Sequence, residues 1–368
     1  MHSLSAAPTH ETNLDFVRAL AVLMVVGSHL GWYFGDAHFG FFELAPLGKL
    51  GVAIFFVHSG IVNLFSIERH VQKFGERRLF LAFMTRRCLR IYPLAIFLVT
   101  SIYLTHIPVS IISNWTATIG NHPNAELVPS LLLVQNFVQF DQILGPLWSL
   151  PYEIQMYSLF PLIYLLLRRF KSSKILMFSW ASLAIVEIVA APHLAKHSNL
   201  GQTFTIPDML YFFLWFLAGF YAYKEMQTSK RIVPFWLLPA LLVFFCLACV
   251  LSYDRNKFIF ISFCFGIALP YVKSCTLSPL NRTCAWVAKY SYGIYLLHEP
   301  SIWLGFVRFR HIPVIAQVSI FLTATFGGSF LLYHALEHPM ILVGNRASIA
   351  ICRHKGPVNL HVAAAIAG

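Results

Sequence analysis

The chain has 368 residues, 58% of them hydrophobic and 11% charged, with a mean hydropathy of +0.67. A soluble domain carries about 25% charged residues, so a soluble enzyme, a disordered chain and a secreted disulfide scaffold are excluded. An integral membrane protein remains. The formal net charge of +12, from 27 Lys and Arg against 15 Asp and Glu, reads as membrane topology rather than nucleic-acid binding, because cytoplasmic loops are rich in Lys and Arg.

A span takes roughly 20 apolar residues. The apolar runs in chain order are 14–34, 48–67, 89–106, 148–168, 175–191, 208–224, 233–251, 257–272, 287–307 and 312–335. Runs this long without strand alternation are helices in lipid, so the expected fold is an all-α polytopic bundle of about ten spans. The first run has no basic leader or small-residue cleavage site before it and reads as a retained span. Basic residues alternate along the chain. Twenty lie in 68–90, 168–174, 224–231, 273–289 and the C-terminal tail, and six lie in the opposite set of connections. That asymmetry places both termini in the cytoplasm. The seven cysteines form no CxxC pair, so neither a disulfide framework nor a zinc site is implied. No internal repeat is visible. Two glycosylation-type triplets, at Asn114 and Asn281, read as chance, and the tail beyond Gly344 reads as poorly ordered.

Charged and titratable groups inside spans mark function. Arg18 and His29 stand eleven positions apart in the first run, which puts them on one helix face and about 16.5 Å apart along the axis. Asp15, one turn before Arg18, can pair with it. Taken singly, a snorkelling arginine and a packed histidine account for the pair. Together they suit an extended substrate with an anionic head and a reactive far end. Arg86, Arg87 and Arg90 precede Ile91-Tyr92-Pro93. Arg87 and Arg90 can point at one phosphate, although on spacing alone positive-inside anchoring is the favoured explanation. Glu153 follows Trp148-Ser149-Leu150 in an otherwise apolar run. It reads either as an interfacial carboxylate or as a group that orients an imidazole or handles a proton. His58 reads as structural. His29, His58 and His298 lie on separate spans without local ligand spacing, so no metal is implied.

These segments together resemble the acyltransferase 3 family, integral-membrane O-acyltransferases that modify bacterial surface glycans and some small molecules. The resemblance runs from Leu14 to about Pro339. Leu14-Asp15-Phe16-Val17-Arg18 with His29 looks like the family's arginine, ten residues, histidine signature. Gly51 through Gly60 is similar to its second-span motif, with Ser59 inside it. Arg86 through Pro93 resembles the entry to its third span, and Trp148-Ser149-Leu150 with Glu153 and Tyr157 its fourth-span motif. Ser291 through His298, including Tyr295, and Glu337-His338-Pro339 resemble the closing motifs. Three positions depart from the pattern: His58 replaces an aliphatic residue, Ala53 an acidic one and Glu299 a tryptophan.

The resemblance implies a transmembrane acyltransferase domain over 1–343, a cytoplasmic tail over 344–368 and no fused soluble domain. It implies a multi-pass protein of the bacterial inner membrane that passes an acyl group, usually acetyl from acetyl-CoA, to a hydroxyl of a glycan or lipid-linked saccharide, with no tightly bound cofactor. Arg18, Arg87 and Arg90 would hold the phosphate-rich head of acyl-CoA. His29 would be the general base, with Glu153 as its partner or a second proton handler. Asp15, Ser59, Trp148, Ser149, Tyr295 and His298 would support the substrate or the site. The competing reading is a transporter or flippase for a lipid-linked or polysaccharide substrate, since intramembrane Arg, His and Glu also serve proton coupling. A non-catalytic subunit of a glycan-assembly machine is the third.

Overall fold

The computed structural model describes residues 12–34, 38–39, 42–105, 124–138, 143–170, 172–197, 206–251 and 254–352. Helix α1 (Thr12–Tyr33) leads through a two-residue strand pair, β1 (His38–Phe39) and β2 (Phe42–Glu43), into α2 (Ala45–Phe74) and α3 (Leu79–Thr105). Two short helices follow, α4 (Asn124–Leu132) and α5 (Gln135–Val138). A single 3₁₀ turn at Gly145–Ser149 opens α6 (Leu150–Leu167), with Pro146 and Pro151 at early helical positions that need no backbone donor. Then come α7 (Lys174–His197), α8 (Ile206–Met226), α9 (Leu237–Leu251), α10 (Arg255–Ala268) and α11 (Ser278–Ile302). The last helix, α12 (Val314–Cys352), has two wide π turns, at Thr323–Gly327 and Tyr333–Glu337. Asn114 and the tail beyond 352 lie outside the described residues.

Each apolar run contains a helix, but several bounds differ from the runs. α2 extends seven residues past its run, and α3 starts ten residues before its own. The first extension carries Arg69 and Lys73 and the second Arg86 and Arg87, residues that hydropathy discounts although they are good helix formers. α12 continues to Cys352, across the expected start of a tail at 344 and through its first residues, which were expected to be poorly ordered. Gly344 lies against Arg86 and Leu89 of α3, and Arg78 donates to the Ile351 carbonyl. Among the described residues, five helical segments are long and apolar enough to cross a membrane: α1, α2, α3, Gly145–Leu167 and α12.

α2 is the hub. In its most apolar stretch 78% of residues are buried, against 17% for α12 at the periphery. It packs on α1 and α8, and α1 packs on α11. α2 and α8 touch backbone to backbone, because a Cβ on Gly219 would fall on the Val57 carbonyl and the Cα of Gly60. Such small-residue contacts are how membrane helices gain packing without a hydrophobic drive. An aromatic seam flanks that contact, with Phe56 stacked on Phe216 at 4.5 Å and Phe160 edge-on to Phe220 at 5.1 Å. Asn13 fixes the start of α1. It donates to the carbonyls of Val272 and Lys273 and accepts from the Cys275 N–H. Asn281 donates to the Cys275 carbonyl in the same corner.

Candidate active site

A cavity of about 860 Å³ opens between α1, α2, α3, α6, α11 and α12. This is within the size range of ligand sites. Five cations line it, Arg18, Arg69, Arg87, Arg90 and Lys289, against two carboxylates, Asp15 and Glu153. Arg18 donates from Nε to Ser291 Oγ at 2.6 Å, and its guanidinium lies over Phe55. Arg87 lies over Phe83 and Tyr157, and its buried Nε has no hydrogen-bond partner among the described residues. Arg86, one residue away, turns out of the cavity to His70 and Ser348. Glu337, at the end of the second π turn, has Arg90 and Arg18 as charged neighbours. Its carboxylate is buried without a hydrogen bond among the described residues. π turns recur at functional sites, where they re-aim side chains.

Glu153 stands on the cavity wall. It accepts from Tyr157 Oη and, at 3.3 Å, from Ser59 Oγ. Asn63 donates in turn to the Ser59 carbonyl at 2.7 Å. His58 lines the same cavity beside Phe55. A crevice of about 30 Å³ shares Phe55, Glu153 and Tyr292 with this cavity. It runs between Ala21, Val22 and Val25 of α1 and Ser149 and Tyr295, whose hydroxyls are hydrogen-bonded at 2.8 Å. One face of α1 therefore lines the cavity with Leu14, Asp15 and Arg18 and the crevice with Ala21, Val22 and Val25, and His29 lies one turn further on, bordering neither space.

His29 meets His298 of α11, with Nδ1 and Nε2 2.6 Å apart. The two rings lie within 4° of parallel with centroids 4.9 Å apart. That separation is what an in-plane nitrogen–nitrogen hydrogen bond gives, so the rings meet edge to edge rather than stack. The tautomers follow. His298 Nδ1 is 2.7 Å from the Tyr295 carbonyl and must donate to it, which leaves Nε2 as an acceptor. His29 Nδ1 therefore carries the proton and donates, and its Nε2 keeps a free lone pair. Glu299 Oε1 lies 3.9 Å from His29 Nδ1. Possible ligand atoms of His29, His298 and Glu299 lie within 4.8 Å of one another. Two imidazoles sharing a tetrahedral zinc stand roughly 3.3 Å apart, from Zn–N bonds of about 2.0–2.1 Å, so the 2.6 Å contact has the spacing of a hydrogen bond.

The candidate residues thus fall into four settings. Asp15, Arg18, Ser59, Arg87, Arg90 and Glu153 line the cavity, and Ser149 and Tyr295 join Glu153 on the crevice. His29 and His298 pair beyond it. Trp148 lines neither space and packs on Phe212 of α8. The hydrogen-bonded neighbour of His29 is His298, not Glu153. Arg69 and Lys289 are legible only as positive-inside charges, and Glu299 only as a polar intrusion beside His298 and a departure from a motif.

No solved structure matches the chain. Acyltransferase MdmB of Streptomyces mycarofaciens is 27% identical over 214 residues, covering 55% of this chain and 51% of that protein. The chain thus spans about half the length of this curated relative. A family model described as an acyltransferase domain matches residues 11–334, and the chain belongs to that family, acyltransferase 3.

Proposed function

We propose that the protein is a membrane O-acyltransferase that moves an acetyl or other acyl group from cytoplasmic acyl-CoA to a hydroxyl of a carbohydrate acceptor. The observation that carries this reading is the cationic cavity, continued along α1 by a narrow crevice that ends at Val25, one turn short of His29. Coenzyme A has that shape, a phosphate-rich head on a thin arm that ends in the thioester. Arg18, Arg87 and Arg90, joined by Arg69 and Lys289, hold the phosphates through charge-assisted hydrogen bonds. The arm follows α1 for about 16.5 Å, the axial rise from Arg18 to His29.

At its far end His29 Nε2 removes the proton of the acceptor hydroxyl. The oxygen attacks the thioester carbonyl, the C–S bond breaks and the departing thiolate takes the proton from His29. General-base assistance of this kind contributes roughly 10²–10⁴-fold. His298 keeps the base in the productive tautomer, a role that orienting partners play wherever a histidine works as a base. Glu153 is a second proton handler at the junction of cavity and crevice, set by Tyr157 and Ser59. The fold in this reading spans the bacterial inner membrane ten times with both termini cytoplasmic, and α7, α8, α9, α10 and α11 join the five apolar segments. The acceptor reaches His29 at its open edge, the side chain being 20% exposed.

Equilibrium binding of acetyl-CoA to protein in lipid nanodiscs tests the reading. A hydrogen bond to a charged group is worth about 1.5–3 kcal/mol, so Arg87→Gln and Arg90→Gln should each weaken binding about tenfold or more. Wild-type protein that does not bind acetyl-CoA, or variants that bind it equally well, would overturn the assignment.

A further inference from the structure

We infer that Glu299 is a positioning residue that balances the positive charge His29 gains on taking the acceptor proton, an inference that rests on the acyltransferase reading above. Glu299 is buried, with its Oε1 3.9 Å from His29 Nδ1. It does not receive the Nδ1 proton, which goes to His298 Nε2 at 2.6 Å, so it acts through space. Its place is fixed from the other side by the backbone N–H of Gly145, which donates to it. A Cβ on residue 145 would overlap the carboxylate, so a glycine is what lets the 3₁₀ turn before α6 approach this closely.

The ionisable groups around the carboxylate are few. His29 faces it from α1, and Tyr295 and His298 flank it on its own helix. The turn before α6 contributes the Gly145 N–H, and Ser149 is engaged with Tyr295. No lysine or arginine pairs with Glu299 among the described residues. Among the described residues its one available counter-charge is the imidazolium that forms when the acceptor proton moves to His29 Nε2. The charge lasts while the new C–O bond forms and the C–S bond breaks, and it is lost when the thiolate takes the proton back. A carboxylate at this distance stabilises a cation by an amount equal to about one to three pH units of titration midpoint.

The test reads the protonation of His29 itself. Site-resolved carbethoxylation by diethyl pyrocarbonate, which modifies the neutral ring, is followed against pH by peptide mass spectrometry on membranes. Wild type is compared with Glu299→Gln, Glu299→Asp and Gly145→Ala. Gln keeps an oxygen for the Gly145 N–H and removes only the charge. Gly145→Ala leaves the charge and displaces it. The His29 midpoint should fall by about one unit or more in Glu299→Gln and in Gly145→Ala, and stay close to wild type in Glu299→Asp. In thiol release from acetyl-CoA with water as acceptor, Glu299→Gln should lose about tenfold in kcat with KM within about twofold. Equal midpoints in wild type and Glu299→Gln would overturn the inference whatever the activity. A shifted midpoint in a wild-type protein that releases no thiol would support the charge coupling and place the failure in the acyltransferase reading.

Discussion

His298→Phe isolates the tautomer argument. Phenylalanine keeps a flat ring in the buried slot on α11 and removes both nitrogens. His29 Nδ1 then loses its 2.6 Å acceptor, and Nε2 loses its fixed lone pair. A buried donor left without a partner costs about 1–3 kcal/mol. At 1.36 kcal/mol per decade of rate, that is a fall in kcat of roughly five- to 150-fold. The ring lies beyond the cavity, so KM for acetyl-CoA should stay within about twofold of wild type. Thiol release in proteoliposomes, over a range of acetyl-CoA concentrations, separates the two constants. His298→Gln, whose side-chain carbonyl can accept from Nδ1, should recover part of the rate. Wild-type kcat in His298→Phe, or a loss confined to KM, would refute the pairing.

The crevice gives a second prediction of the same kind. Val25→Phe should fill the crevice and stop acyl transfer while acetyl-CoA binding stays within about twofold, measured on the same nanodisc sample; parallel loss of binding would place the donor arm elsewhere. Gly219→Ala should force α2 and α8 apart at Val57 and cost about 1–3 kcal/mol, seen as a lower melting temperature in detergent, and an unchanged one would contradict the backbone contact. In a cysteine-free background, a membrane-impermeant maleimide should label His311→Cys on intact spheroplasts and Ser172→Cys only after lysis. The reverse pattern would invert the topology.

Much of this architecture is legible in the chain because lipid leaves so few options. Apolar length gives the helices, and polar residues placed where they are costly give the candidates: Arg18, His29, Arg87, Arg90 and Glu153. Periodicity also tells which face of α1 carries Arg18 and His29. It cannot tell which helix that face meets, since every helix here is apolar nearly all round. That is why Glu153 stood as the partner of His29 in the sequence reading, whereas α11 brings His298 and Glu299 to it. The same ambiguity hid Lys289 and Arg69, whose positions in basic segments fit topology as well as ligand binding. The early start of α3 was missed for another reason. Hydropathy ends a span where arginines begin, yet the helix continues through them and aims Arg87 and Arg90 into the cavity.

In the proposed reaction His29 drives acyl transfer from acyl-CoA to a glycan hydroxyl. Mass spectrometry of surface glycans and lipid-linked precursors tests it most directly, in cells making wild type, His29→Ala or neither, with membrane levels of the two proteins matched. An ester-labile increment of one acyl group should be present with wild type and absent with His29→Ala and the empty vector. The same increment with both proteins would contradict the role of His29, and unmodified glycan in the wrong compartment would point to transport instead.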